Sequence, residues 1–447
     1  MAFYWVIFSI YLAFSSATEV KFDAFRPRPQ KNSDGSYKQF ANDYSAYKNL
    51  HKMVYFDACE TEISDEHILG EFRWTIEYLP PPEPTPPRRT AGSNSTNRSR
   101  GRSQNPFQNG PRTTNRGSGS QTSKNPFKDT PKNRVRRQSL RRSWKEEQKV
   151  YDYCDLVWHA PWEGEYKVNL KYIVDDKVIS QATRRVVVKD IWIVAMGDSI
   201  MSGQGNPEVA GSVLKLRAAQ WLDSECYISA IGSFGYLTVE EVTEEFDDYG
   251  ILFTFIPCNG ASLDEGVLGR QNEFPAQLDM LETIMQQAKN DCKCAGCCKT
   301  KPDATLLSIG GNDVKFARIA ANLVQGNIDE DIGQAPLRLK TLEADLRRLS
   351  QRINKAGIPP ASLFYTENFD PLRNEKGEID ADCIRVGTAT TKDLQAVDRS
   401  IVKPLNRVIE TACEKYGWTF VKGVHQAFRR HGVCSENSFI RSIRRIT

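Results

Sequence analysis

Ile191-Trp192-Ile193-Val194-Ala195-Met196-Gly197-Asp198-Ser199-Ile200 is the stretch whose reading decides the fold. Its first six residues are apolar without a break, the pattern of a strand buried on both faces of a parallel sheet. Gly-Asp-Ser follows at once, where the strand must end and the chain must turn. A serine there stands at the carboxyl edge of a sheet, where open α/β folds bind their ligands. A second apolar run, Leu306-Leu307-Ser308-Ile309, ends in Gly310-Gly311-Asn312-Asp313. From average residue usage that tetrapeptide should occur by chance in roughly one chain in a hundred or fewer. Further buried-strand patterns lie at 252–256, 361–365 and 418–421, with helical patterns at 277–288 and 336–356. Strand alternating with helix predicts an α/β fold, a parallel sheet covered on both faces.

Gly197-Asp198-Ser199, Pro257-Cys258-Asn259-Gly260-Ala261 and Gly310-Gly311-Asn312-Asp313 resemble, in order, the first three blocks of the SGNH (GDSL-type) serine hydrolases. Ser202-Gly203-Gln204-Gly205-Asn206-Pro207 and Phe364-Tyr365-Thr366-Glu367-Asn368-Phe369-Asp370-Pro371 resemble segments of that family's secreted lipase and esterase branch. The likeness covers residues 191–434, over half the chain. It implies a flavodoxin-like three-layer domain with Ser199 as nucleophile. It also implies an oxyanion hole built from the Ser199 and Gly260 backbone N–H groups and the Asn312 carboxamide. A serine hydroxyl needs a base to take its proton. It also needs donors aimed at the oxyanion, each typically worth about a hundredfold or more in rate. Singly, Ser199 reads as a helix cap, Gly260 as a turn residue and Asn312 as part of a capped loop. Together, behind buried strands, they favour the hydrolase constellation. Asp198 and Asp313 are expected to orient the loops beside Ser199 and Asn312.

The base is the difficulty, because the family's closing Asp-x-x-His block is altered or missing. In Val421-Lys422-Gly423-Val424-His425-Gln426, Lys422 stands where the family has its aspartate. Phe428-Arg429-Arg430-His431-Gly432-Val433-Cys434 resembles a segment that precedes the catalytic block in the secreted branch. On that alignment neither histidine is catalytic, and the hydrolase-like domain at 191–447 is shortened at its C-terminus. His425 is the first base to test and His431 the second.

The chain has 447 residues, with 60 Lys and Arg against 56 Asp and Glu, room for two modest domains plus unstructured sequence. Residues 1–17 are almost wholly apolar and end in Ser15-Ser16-Ala17, which reads as a signal peptide on a secreted, extracellular protein. No later run reaches the ~18 apolar residues of a membrane span. Eleven cysteines suit an oxidising compartment. Cys226 and Cys258 flank the second block, and Cys59, Cys154, Cys383 and Cys434 are further disulfide candidates. Cys292, Cys294, Cys297 and Cys298 lack the two separated pairs of a zinc ribbon, so disulfides are the better reading. The odd total leaves one spare thiol, assigned to Cys413. No metal-ligand cluster or phosphate-cradling glycine loop is evident, so neither metal nor cofactor is expected.

Residues 18–50 show no clear period and read as an extended lead-in. A β pattern fills 51–190, with Phe72, Trp74, Ile76 and Tyr78 alternating against polar neighbours. It predicts a small antiparallel sandwich, and pieces such as Phe72-Arg73-Trp74 and Gly164-Glu165-Tyr166-Lys167-Val168 resemble PKD or other Ig-like modules. A Pro-, Ser- and Arg-rich insertion at 80–145 interrupts it and cannot bury enough apolar surface to order itself. Within it, Asn94 and Asn97 open glycosylation sequons, and Arg134-Val135-Arg136-Arg137 resembles a furin-type processing site ending at Arg137. The alternative is a solvated basic tract that binds polyanions weakly; no nucleic-acid motif accompanies it. Cys59 is expected to pair with Cys154 across the insertion.

These readings converge on a secreted hydrolase that cleaves a carboxylic ester of a lipid or acylated carbohydrate through an acyl-Ser199 intermediate. A secreted binding protein that keeps the fold but lacks the base is the alternative. A precursor whose excised basic loop is the active product is a third.

Overall fold

The computed structural model describes residues 19–28, 42–63, 70–80, 144–150, 153–211, 217–223, 225–292, 298–382 and 387–440. The apolar leader, the sequons at Asn94 and Asn97, Arg137 and Cys383 lie outside them. No helix among the described residues is long and apolar enough to cross a membrane.

Two antiparallel sheets form from the N-terminal part. One has β1 (Asp23–Phe25), β2 (Met53–Asp57) and β5 (Asp155–His159) in the order β1-β2-β5. The other has β3 (Glu71–Leu79), β4 (Lys145–Val150), β6 (Gly164–Val174) and β7 (Lys177–Val188) in the order β4-β3-β6-β7. Alternation in the sequence becomes a buried face: Phe72, Trp74, Ile76 and Tyr78 of β3 meet Tyr166, Val168, Leu170 and Tyr172 of β6 in one core shared with β2 and β5. Trp74 stands between Phe22 and Phe56, with ring centroids 5.1 and 5.2 Å away. Burying each such side chain is worth about 1.5–3 kcal/mol. Cys59 and Cys154 form a disulfide across 95 residues, and Cys292 pairs with Cys298. Cys434 is disulfide-bonded to a partner outside the described residues, and Cys413 is a free, buried thiol.

The stretch expected as an extended lead-in is instead built into the fold. β1 pairs with β2, so the antiparallel part starts well before residue 51. Helix α1 (Tyr44–Leu50) is capped by Asp43, whose carboxylate accepts the Ala46 N–H at 2.7 Å. Its Tyr47 packs on Trp192 at 4.8 Å. Order there comes from distant partners, which local periodicity does not report.

The parallel sheet holds β8 (Asp190–Gly197), β9 (Gly250–Phe255), β10 (Ala304–Ser308), β11 (Leu363–Thr366) and β12 (Thr419–Val421) in the order β12-β11-β10-β8-β9. Every neighbouring pair is parallel. Helices α2 (Phe234–Glu245), α3 (Gln277–Asp291), α4 (Phe316–Val324), α5 (Asp329–Ala356), α6 (Thr391–Val397), α7 (Lys403–Tyr416) and α8 (Val424–Phe428) follow the strands. On β8, Trp192, Val194 and Met196 join the core made with α3, α5 and α7. Ile193 and Ala195 join the opposite core with Tyr236 and Val239 of α2. That two-sided burial is why β8 has no polar residue between Ile191 and Gly197. Helix α5 begins earlier than its apolar pattern, because Asp329, Glu330 and Asp331 favour a helix N-terminus and Asp331 is buried against Arg338 at 2.9 Å.

Only Lys189 separates β7 from β8, so antiparallel and parallel sheets meet at Asp190. Its fully buried carboxylate takes hydrogen bonds from the Lys52 N–H at 2.8 Å, His51 Nδ1 at 2.7 Å and the Arg26 guanidinium. Burial alone would raise the Asp190 pKa, but the His51 hydrogen bond and the Arg26 charge hold it below the usual carboxylate range.

Candidate active site

The strand order fixes where a ligand site can form. From β8 the chain goes outward to β9 and then returns past β8 to β10, so the order reverses between β8 and β10. The crevice outside the carboxyl ends of strands at such a reversal is the habitual binding place in open α/β sheets. Ser199 follows β8, Gly260 follows β9 and Asn312 follows β10, so the sheet brings all three to this edge.

The loops are then sewn together. The Asp198 N–H donates to the Ser308 carbonyl at 3.0 Å, and the Cys258 N–H donates to the Gly197 carbonyl at 3.0 Å. Gln277, the buried first residue of α3, clamps Gly197 from the side. Its Oε1 accepts the Gly197 N–H at 2.8 Å and its Nε2 donates to the Gly197 carbonyl at 2.9 Å. Gly197 has φ +145° and a Cβ on it would sit 2.0 Å from the Ser308 carbonyl oxygen, so no other residue fits. Asn312 Nδ2 donates to the Ala261 carbonyl at 2.8 Å, next to Gly260. Asp313 accepts the Leu263 N–H at 3.0 Å, and Asp198 accepts the Ile200 N–H at 3.0 Å. Disulfide Cys226–Cys258 and the 3.2 Å hydrogen bond from Asn259 N–H to the Cys226 carbonyl hold the β9 loop from behind.

Three donor groups are left over. Among the described residues, the N–H groups of Ser199 and Gly260 meet no acceptor, and Asn312 uses one of its two amide hydrogens. Gly260 is exposed, with φ +79°, while Ser199 and Asn312 are half-buried. Donors open to solvent in this way are taken by water or by a ligand. Next to them in the chain are two carboxyls, Asp198 buried and Asp313 half-buried. Burial, helped by the charge of Asp313, pushes Asp198 up to about 7. Burial, helped by Asp345, pushes Asp313 up to about 6.

The histidines lie further along the sheet. His425 is the second residue of α8, just past β12. Strands β10 and β11 stand between β12 and β8, roughly 14 Å of sheet at ~4.8 Å per strand. His425 Nε2 is 3.6 Å from Asp370, which follows β11 and is fully buried, and its Nδ1 is buried without a hydrogen-bond partner. Asp370 is also held by Arg373 Nε at 2.6 Å. Glu367 fixes the turn that carries the histidine, since its carboxylate accepts the N–H groups of Gly423 at 2.9 Å and His425 at 3.0 Å. Lys422, three residues before His425, pairs with Glu410 at 2.5 Å. His431 is occupied elsewhere: Nδ1 donates to the Asn437 carbonyl at 2.7 Å, and the ring stacks on Phe439 at 3.9 Å. The contacts of Asp370, Glu367 and Gln277 escaped sequence reasoning, because each reaches a partner far away in the chain that local pattern does not report. A hollow of about 870 Å³ lined by Arg26, Tyr55, Arg184 and Asp247 lies at the opposite, amino-terminal end of the sheet.

No protein-family model matches the chain, and no curated protein sequence does. Among solved structures it is similar to an extracellular lipase from Streptomyces rimosus, with 19% identity, 57% of this chain and 88% of that one covered, and a TM-score of 0.39. It is similar to phospholipase A1 from Streptomyces albidoflavus, with 20% identity, 56% and 87% covered, and a TM-score of 0.35. It is also similar to a carbohydrate esterase, with 10% identity, 90% and 89% covered, and a TM-score of 0.27.

Proposed function

We propose that the protein is an exported serine ester hydrolase of the SGNH type. The observation that supports the reading is that Ser199 N–H, Gly260 N–H and the spare Asn312 amide hydrogen have no partner among the described residues and follow three neighbouring strands where the parallel sheet reverses its order. Donors fixed in advance stabilise charge that develops on a carbonyl oxygen as it is attacked, without reorganising during reaction.

In this reading Ser199 Oγ attacks the ester carbonyl carbon, and its proton passes to His425. The carbonyl π electrons move onto oxygen, where the three donors receive the charge. The intermediate collapses by expelling the alcohol, which takes the proton from the imidazolium, and water then releases the acid from acyl-Ser199 by the same steps. Asp370 supports the imidazolium in this scheme, in place of the acid that a family member carries in its final block.

A second reading, a binding protein on the same fold, is favoured by a different observation. The strands carrying Ser199 and His425 are separated by β10 and β11, and Asp370 sits closer to Arg373 than to His425. Labelling with a fluorophosphonate separates the two. The hydrolase reading expects stoichiometric labelling that disappears in Ser199→Ala and falls steeply in His425→Ala. Folded wild-type protein that takes no label would sink the hydrolase reading.

A further inference from the structure

Beside α8, at the same carboxyl edge of the sheet, is a hollow of about 320 Å³ lined by Lys376, Gln426, Ala427, Arg429, Arg430 and His431. No acidic residue lines it, and among the described residues Lys376, Arg429 and Arg430 have no ion-pair partner. Three full positive charges around one small concavity repel one another unless something neutralises them. We propose that this hollow is a binding site for a tetrahedral oxyanion, a phosphate or sulfate group. Resting on the hydrolase reading, we extend this to a substrate that carries such a group on the part of the molecule lying over α8.

Both walls are fixed in advance. Lys376 stands at the tip of a hairpin that Asn374 locks: its Oδ1 accepts the N–H groups of Lys376 and Glu378, both at 3.0 Å, and its carbonyl accepts the Gly377 N–H at 3.0 Å. Glu375 and Glu378 flank Lys376 in sequence yet do not line the hollow. On the other wall, His431 is held by the Asn437 carbonyl and by Phe439, as described above. The two walls are clamped by the Val433 N–H donating to the Pro371 carbonyl at 2.7 Å. A Cβ on Gly432 would lie 2.4 Å from the Arg373 carbonyl oxygen, so the backbones touch there. Gly377 has φ +81° and no side chain, and the Arg429 stem passes over it, with Cγ 3.8 Å from where a Cβ would be. Guanidinium groups donate in a fork that matches the paired oxygens of phosphate and sulfate, and such charge-assisted hydrogen bonds are among the strong ones. The backbone of both walls is already set, so the ordering that opposes binding is that of the exposed Lys376, Arg429 and Arg430 side chains. A volume of this size takes a phosphate or sulfate monoester with part of its carrier.

The test is calorimetric titration of the full chain with inorganic phosphate, with sulfate, and with chloride as control, at low ionic strength. Wild type and Ser199→Ala should bind phosphate and sulfate equally well. The double variant Arg429→Gln, Arg430→Gln should lose about tenfold or more in affinity, as expected for losing charge-assisted bonds. Thermal unfolding of that variant, whose two side chains are exposed, verifies that it is folded. Absence of saturable phosphate binding to wild type, or equal binding by the folded double variant, overturns the site. The substrate clause has its own arm. The double variant should raise KM for a phosphate-bearing ester and leave KM for a neutral ester unchanged, and equal effects on both overturn the clause. Phosphate binding by protein that takes no fluorophosphonate label would leave the site standing and sink the hydrolase reading together with the substrate clause that rests on it.

Discussion

Gly197 and Asp198 set the geometry of the turn that carries Ser199. Because Gly197 is boxed in by the Ser308 carbonyl, Gly197→Ala should destabilise the protein by about 3 kcal/mol, read from the urea midpoint. An unchanged midpoint would mean that the strand end shifts freely. Asn312→Ala should lower kcat by about a hundredfold or more with little change in KM, the pattern of a donor used in the transition state. A change confined to KM would give Asn312 a ground-state role instead. Asp198 offers a pH test. Its folded pKa, about 7, lies above its ordinary value of 3.8, so the folded state holds this proton more tightly than the unfolded chain. The stability it contributes is fully present below pH ~4 and is lost as the pH rises through ~7. Asp198→Asn keeps an acceptor for the Ile200 N–H but removes the titration. Its melting temperature should therefore fall less between pH 4 and 8 than that of wild type, and parallel curves would contradict the assignment.

Among the elements, the joint between β7 and β8 and the loop after β9 are the ones whose loss should be felt furthest. Asp190 is buried with Arg26 and His51, and removing it strands a guanidinium in a dry environment. Asp190→Ala should cost about 3–5 kcal/mol, measured by denaturant unfolding, and a cost under ~1 kcal/mol would show that water reaches Arg26. The loop carrying Gly260 is tied by Cys226–Cys258 across 32 residues. Replacing both cysteines by alanine should cost about 3–4 kcal/mol of stability. If the loop is also what aims the Gly260 N–H, kcat should fall in protein that remains folded. Both joints bind segments far apart in the chain, which is why neither shows in the hydrophobic rhythm.

For the molecule as a whole, the Cys59–Cys154 bridge decides what proteolysis can do. It closes 95 residues that include Arg137, so a cut after Arg137 should leave two pieces that run as one band without reductant and as two with it. Separation without reductant would show that the bridge does not form in the protein as produced. A basic peptide released from the insertion would need a second cut before residue 137, since one cut frees nothing.

The sequence by itself determined that buried strands run into Gly197 and toward Gly310, and it put Ser199, Gly260 and Asn312 just past strand ends. A strand buried on both faces must be apolar throughout, and a chain leaving its end must turn at glycine. It also showed Lys422 three residues before His425, since such spacing is read directly from the chain. Only the tertiary structure decided the rest. Gln277 reaches Gly197 across 80 residues, His51 reaches Asp190 across 139, and Glu367 reaches His425 across 58. Asp370, not a residue beside His425 in the chain, supplies the nearby carboxylate. Contacts of this kind are set by where the sheet order carries each strand end, and strand order leaves no local trace in composition or periodicity.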